Sequence, residues 1–181
     1  MNVLLLAAAL LFPQQQVARP PADTAALAAS RQAISQVGFS VAEVRSALEL
    51  FRRAVFNGTL PETVERAQVL RRRCTELETT VRTARAAICP RCFRPSAQPS
   101  VDRYRGGLPD VAQLGTRCAA LVARRLRADS TGAAVKREVR TVTQMIVAGL
   151  QPYEDRVHAI RLALGLEVPN QPAAPARRPR N

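Results

Sequence analysis

Residues 27–55 read LAASRQAISQVGFSVAEVRSALELFRRAV, the strongest periodic signal in the chain. Large apolar residues recur along it at steps of three and four, or of seven, which places their side chains on one face of an α-helix. The residues of this face are Leu27, Ile34, Val37, Val41, Val44, Leu48, Phe51 and Val55. The stretch therefore predicts a long amphipathic helix over residues 23–56, with Asp23 as its N-cap, that buries this face against other helices.

A second helix is predicted over residues 60–89. Asn57-Gly58 is typical of a helix end with the glycine in the left-handed conformation, and Thr59 to Glu62 has the pattern of a capping box with Pro61 in the first turn. So short a connection makes the first two helices antiparallel. The apolar face of the second helix consists of Ala67, Leu70, Cys74, Leu77, Val81, Ala84 and Ile88.

The region 90–107 holds three prolines and the pair Gly106-Gly107 without sustained periodicity, so it is predicted to be an irregular loop. A third helix is predicted over residues 108–128 and a fourth over 131–165. Pro152 lacks the amide that the fourth helix needs, so we expect a kink near residues 148–151, or a break there.

The composition agrees with packed helices. The chain of 181 residues is 47% hydrophobic but only 4% aromatic, so its core must consist mostly of small aliphatic side chains, which favours helix packing over a β-sandwich. We predict an all-α protein: an antiparallel up-down four-helix bundle over residues 19–166, stapled by disulfides. Residues 167–181 are rich in Pro, Ala and Arg and are predicted to be a disordered basic tail.

The first 18 residues are typical of a secretory signal. Ten apolar residues, Val3 to Phe12, precede a short polar run, and this stretch is too short to span a membrane. The cleavage site is not defined, because no good cleavage motif follows. No later stretch reaches the length of a transmembrane helix, so the sequence predicts a secreted or periplasmic protein.

An even number of cysteines in an exported chain indicates disulfides. Cys74 and Cys118 both lie on apolar faces, at heights that differ by one or two turns when about 1.5 Å is counted per helical residue, so we predict that they pair. A bond from Cys74 to Cys89 would have to span about 22 Å of one helix, which is beyond disulfide reach. A bond from Cys74 to Cys92 requires the loop to fold back along the bundle and stays open. The preferred pairing leaves Cys89 and Cys92 as a local bridge.

The segment Cys89-Pro-Arg-Cys92 is the one place where the sequence suggests chemistry. A thiol–disulfide redox protein or sensor that uses these two cysteines is the alternative function. Their position at a helix C-terminus disfavours it, because the helix dipole there opposes a thiolate. A zinc knuckle would lack its second half, and His158 is the only histidine. We therefore predict no catalytic residue, no cofactor and no metal ligand.

The charge indicates a partner class. Lys and Arg number 27, all but Lys136 being arginine, and the formal net charge is +13. Such a surface attracts an anionic protein, polysaccharide or lipid head group, whereas the lack of a recognition motif and of aromatic platforms disfavours nucleic acid. The expected function is that of a non-catalytic structural or interaction module. Its predicted contact residues are Arg71, Arg72, Arg73, Arg124, Arg125, Arg127, Arg177, Arg178 and Arg180.

Overall fold

The computed structural model of the protein describes residues 21–125 and 132–166, with side chains at 24–123, 137 and 139–166. The predicted signal, residues 126–131 and the predicted tail lie outside these residues. The described part contains four long helices and no strand. They are α1 (Pro21–Asn57), α2 (Leu60–Ala87), α3 (Gln98–Arg125) and α4 (Gly132–Leu164), with a 3-10 turn at Pro90–Cys92 between α2 and α3.

The helices form the antiparallel up-down bundle that the sequence predicts. Each helix packs mainly against its neighbour in the chain, and the contact between α1 and α4 that closes the bundle is the sparsest. The predicted face of α2 is buried at all seven positions, from Ala67 to Ile88. On α1 the middle of the predicted face is fully buried, while Leu27, Ile34 and Val55 pack partly buried against the core.

Helix α1 begins at Pro21, so the predicted N-cap Asp23 lies inside the helix. Proline is favoured in the first turn, because its fixed φ suits the helix and its missing amide would have no partner there. The hairpin to α2 also differs from the prediction, since Gly58 does not have a positive φ. Glycine is required there for another reason: a Cβ would lie 2.7 Å from the carbonyl oxygen of Ala54.

The predicted loop 90–107 is wrong over most of its length, because α3 begins at Gln98. Residues of the supposed loop continue the apolar face of α3 toward its N-terminus, and each is at most 1% exposed: Ala97, Val101 and Tyr104. Burial of this face stabilises the helix by more than Gly106, Gly107 and Pro109 weaken it. Only residues 88–97 separate α2 from α3.

Helix α4 runs unbroken through Pro152, so the alternative of two shorter helices is wrong. Both Pro152 and Ala148, whose carbonyl loses its usual partner, are exposed to solvent, where water can replace the missing hydrogen bond. The predicted kink stays a prediction.

Candidate functional site

The first predicted disulfide joins the middle of α2 to the C-terminal part of α3. The sulfurs of Cys74 and Cys118 lie 2.06 Å apart and their Cα atoms 5.9 Å apart, and both residues are almost fully buried. Gly115 allows the two backbones to come this close, since a Cβ there would lie 2.7 Å from the carbonyl oxygen of Cys74. The pairing predicted from the two apolar faces is confirmed in this structure.

The second disulfide joins Cys89 to Cys92 just beyond the end of α2, with Cα atoms 5.5 Å apart. The buried Ser30 of α1 holds this segment, because its hydroxyl accepts a hydrogen bond from the Cys89 amide at 2.9 Å. The one hydroxyl proton has two acceptors within reach, the Ala26 carbonyl oxygen of α1 at 2.8 Å and the Ala87 carbonyl oxygen of α2 at 3.2 Å. Ser30 thus gives the Cys89 amide, just beyond the end of α2, an acceptor from α1.

A second cross-helix contact lies in the same segment, where the Arg94 guanidinium donates to the carbonyl oxygen of Ala163 in the last turn of α4. A cation at a helix C-terminus is favourable, because the last carbonyls carry partial negative charge. We call the segment 88–97 with its disulfide the clasp. It lies where α1 begins and where α2 and α4 end.

The clasp geometry bears on the redox alternative. Cys89 follows the C-terminus of α2 and precedes only the three-residue 3-10 turn, and α3 begins six residues after Cys92, so neither sulfur lies at the N-terminus of an α-helix that would stabilise a thiolate. All four cysteines are paired. The geometry is that of a structural bridge, and a redox role for this pair stays a prediction.

The predicted arginine cluster 71–73 does not form a common surface. Arg73 pairs with Glu43 of α1 at 2.8 Å and with Glu76 of its own helix at 2.7 Å. Arg71 and Arg72 are exposed and have no carboxylate within pairing distance among the described residues. The side chains of the other predicted contacts lie outside the described part: Arg124, Arg125, Arg127, Arg177, Arg178 and Arg180.

A different set of arginines surrounds a groove between α2 and α3, which we call the α2–α3 groove. Its walls are formed by Val81, Arg82, Arg85, Pro109, Asp110, Ala112, Gln113, Thr116 and Arg117. Arg105 stands beside one end of it, where its Nε donates to the Arg85 carbonyl oxygen at 3.2 Å. That carbonyl lies in the last turn of α2, so the contact also completes the helix end.

The charges in this groove are not balanced. Arg82 pairs with Glu78 at 2.8 Å, and Asp110 lies 3.6 Å from Arg156, which reaches across from α4. No carboxylate of the described chain lies within 4.0 Å of three further arginines, namely Arg85, Arg105 and Arg117. The α2–α3 groove thus has an excess of positive charge that the rest of the described molecule does not neutralise.

A second groove, between α1 and α2, offers a contrast. Its walls consist mostly of short polar side chains from both helices, with the exposed ring of Phe39 on the rim. Its one arginine, Arg73, is already paired with Glu43 and Glu76. This groove therefore presents no uncompensated charge.

The core contains one pair of titratable side chains. Tyr104 of α3 and Tyr153 of α4 have ring centroids 5.8 Å apart, and both rings are nearly inaccessible to solvent. Burial raises the pKa of both phenols, because the charged phenolate would lose its hydration. The pair is a neutral part of the core across the physiological range.

The residues of the α2–α3 groove escaped the sequence analysis for an identifiable reason. Arg105 falls in the region predicted to be a loop, so it could not be aligned with Arg117 on one helix. With α3 starting at Gln98, residues 105, 109, 112 and 116 follow helical spacing and face the same groove. Correct placement of that helix start would have revealed the cluster.

The described part of the chain contains no helix long and apolar enough to cross a membrane. Comparison with protein-family models, with curated proteins and with solved structures finds no match to this chain.

Proposed function

We propose that this protein is an exported, non-catalytic helical module that binds an anionic partner through the α2–α3 groove. The observation that carries the proposal is the set of three arginines around that groove, Arg85, Arg105 and Arg117, which have no carboxylate within 4.0 Å in the described chain. Arginine suits this role because its planar guanidinium donates paired hydrogen bonds to carboxylate, sulfate or phosphate groups.

Export is supported by two independent features. Every cysteine lies at disulfide distance from another, which is typical of proteins outside the reducing cytosol, and the N-terminal apolar stretch has the length of a secretory signal. Mass spectrometry of the protein recovered from a secreting host tests this. We expect a mature chain that has lost about the first 18 residues and has no free thiol, whereas an intact N-terminus with reduced cysteines would contradict export.

Binding is tested by removing the same number of positive charges from two different surfaces. The groove variant Arg85→Gln/Arg105→Gln/Arg117→Gln is compared with Arg31→Gln/Arg137→Gln/Arg140→Gln, which removes three exposed arginines from other surfaces of the bundle. Binding to immobilised anionic polymers should weaken steeply as salt rises and should be lost mainly in the groove variant. Equal losses in the two variants would show that only net charge matters and would refute a defined site.

The predicted basic tail is part of the same proposal. Deletion of residues 168–181 removes Arg177, Arg178 and Arg180 and should reduce both the affinity and its salt dependence. A tail deletion that abolishes binding while the groove variant retains it would move the site from the groove to the tail.

A further inference from the structure

We propose that the partner held in the α2–α3 groove is a linear anionic polysaccharide. This inference rests on the proposed function and names the chemistry of the partner. It follows from how the arginines are spaced, from what lines the groove between them, and from what the groove lacks.

The uncompensated arginines lie at two separate heights along the groove. Arg117 is next to Cys118 and therefore level with the inter-helix disulfide. Arg105 lies twelve residues earlier in α3, about 18 Å away at 1.5 Å per residue. Arg85 touches Arg105 through its carbonyl oxygen and so lies at the same far end. One small anion can reach one end only, whereas an extended chain with repeated anionic groups can contact both.

Between these ends the groove is polar, and its charges are paired within the chain. Arg82 of α2 and Asp110 of α3 each lie within 4.0 Å of a side chain of opposite charge. Gln113 and Thr116 contribute an amide and a hydroxyl from α3. Amides and hydroxyls both donate and accept hydrogen bonds, which suits the hydroxyl groups of a sugar chain. The groove thus has uncompensated arginines at its two ends and, between them, paired charges with neutral hydrogen-bonding groups.

The groove lacks the features that other polyanions need. A protein partner is anchored by buried aromatic or large apolar residues, a single-stranded nucleic acid by stacking on rings, and a membrane surface by apolar side chains that enter the lipid. The large exposed apolar residues of the described chain all lie on other surfaces: Phe39, Leu50, Phe56, Leu60, Val147 and Leu166. A flat bilayer also cannot enter a furrow between two helices.

Calorimetric titration with oligogalacturonates of increasing length tests the proposal, with neutral dextran oligomers of matched length as the control ligand. Affinity should rise steeply until the oligomer spans the distance from Arg105 to Arg117 and then level off. Replacement of Arg117 by Gln, or of Arg85 and Arg105 together by Gln, should each weaken binding of the long oligomer by about tenfold or more. The same replacement at Arg31 and Arg140 should change it less than about twofold.

Folding of each variant is verified by thermal unfolding with the disulfides intact. A further variant, Arg85→Lys/Arg105→Lys, keeps the charge and removes the planar fork, so it should retain part of the affinity and most of the salt dependence. Full retention of affinity by this variant would overturn the assignment of paired hydrogen bonds to these two side chains.

Two results separate failure of this inference from failure of the proposed function. If polyglutamate or anionic vesicles bind more tightly than oligogalacturonate and still depend on the groove arginines, the polysaccharide is refuted and the anion-binding function stands. Equal affinity for inorganic phosphate and for the long oligomer would refute an extended ligand. If no anionic probe depends on the groove, both proposals fail.

Discussion

The two disulfides stabilise the same bundle in different ways. Cys74–Cys118 joins positions 44 residues apart through the buried interface of α2 and α3, whereas Cys89–Cys92 closes a turn between positions only three apart. At the first site the covalent bond supplies the long-range constraint. At the clasp the long-range constraint comes from hydrogen bonds, through Ser30 of α1 and through Arg94, which reaches α4. A covalent bond therefore constrains the packed faces of two helices, whereas hydrogen bonds constrain the helix ends.

Removal of the inter-helix disulfide should have the largest effect. In the chain-entropy model, a crosslink between positions 44 apart contributes about 4 kcal/mol to the free energy of unfolding, and one between positions three apart about 1.5 kcal/mol. Cys74→Ala/Cys118→Ala should therefore lower stability in urea unfolding by more than twice as much as Cys89→Ala/Cys92→Ala. Equal losses would contradict the chain-entropy explanation, in which the inter-helix bond restricts the unfolded chain more than the Cys89–Cys92 bond does.

The close approach that this disulfide requires can be tested at two glycines of α3. Gly115→Ala places a Cβ 2.7 Å from the Cys74 carbonyl oxygen, whereas Gly106→Ala places one in open space. Gly106→Ala should stabilise the protein by about 1 kcal/mol through helix propensity. Gly115→Ala should instead destabilise it, so that the two variants differ by about 2 kcal/mol in urea unfolding. A stabilising Gly115→Ala would show that α2 and α3 are not in close backbone contact.

Replacement of Ser30 tests the hydrogen-bonded constraint at the clasp. Ser30→Ala removes the acceptor for the Cys89 amide and the donor near the Ala87 carbonyl, at a cost of about 1.5 kcal/mol in the free energy of unfolding. The matched control is Ser46→Ala, because Ser46 is exposed and lies on the same helix. This replacement should change the free energy of unfolding by less than about 0.5 kcal/mol. Amide hydrogen exchange at Cys89 should also become faster in Ser30→Ala, and unchanged exchange would exclude this contact in solution.

Alkaline pH tests the part of the core that no disulfide reaches, the contact between α3 and α4. The pKa of both tyrosines is raised in the folded state, so the folded protein keeps protons that the unfolded chain releases above a pH of about 10. The two protonated phenols should make their full contribution to the free energy of unfolding below that pH. Above it the free energy of unfolding should fall by up to about 1.4 kcal/mol per pH unit for each buried phenol.

The control for this pH dependence is Tyr104→Phe, which should show a shallower fall above pH 10 than the wild-type protein, because one of the two titrating groups is gone. The measurement is urea unfolding between a pH of about 9.5 and 11.5. Phenolate absorbance that develops in the folded protein with a pKa near 10 would show that the rings are accessible, and it would contradict their burial.

The sequence predicted what depends on apolar spacing, and it failed where a helix continues through residues that disfavour helices. The pairing of Cys74 with Cys118 followed from two predicted apolar faces. The N-terminal third of α3 was not predicted, because Pro99, Gly106 and Gly107 concealed a face that tertiary burial stabilises. The α2–α3 groove was missed with it. Local residue preferences cannot predict that the face of a helix is buried when that burial depends on three other helices.

The tyrosine contact has a practical consequence. The chain contains two tyrosines and no tryptophan, and both tyrosines lie at one contact between α3 and α4. Tyrosine fluorescence, the main intrinsic fluorescence of a chain without tryptophan, therefore arises from this single contact. A ligand that bends or separates these two helices should change the tyrosine fluorescence, so its binding can be followed without an added dye. A ligand that leaves the two helices in place should not change it.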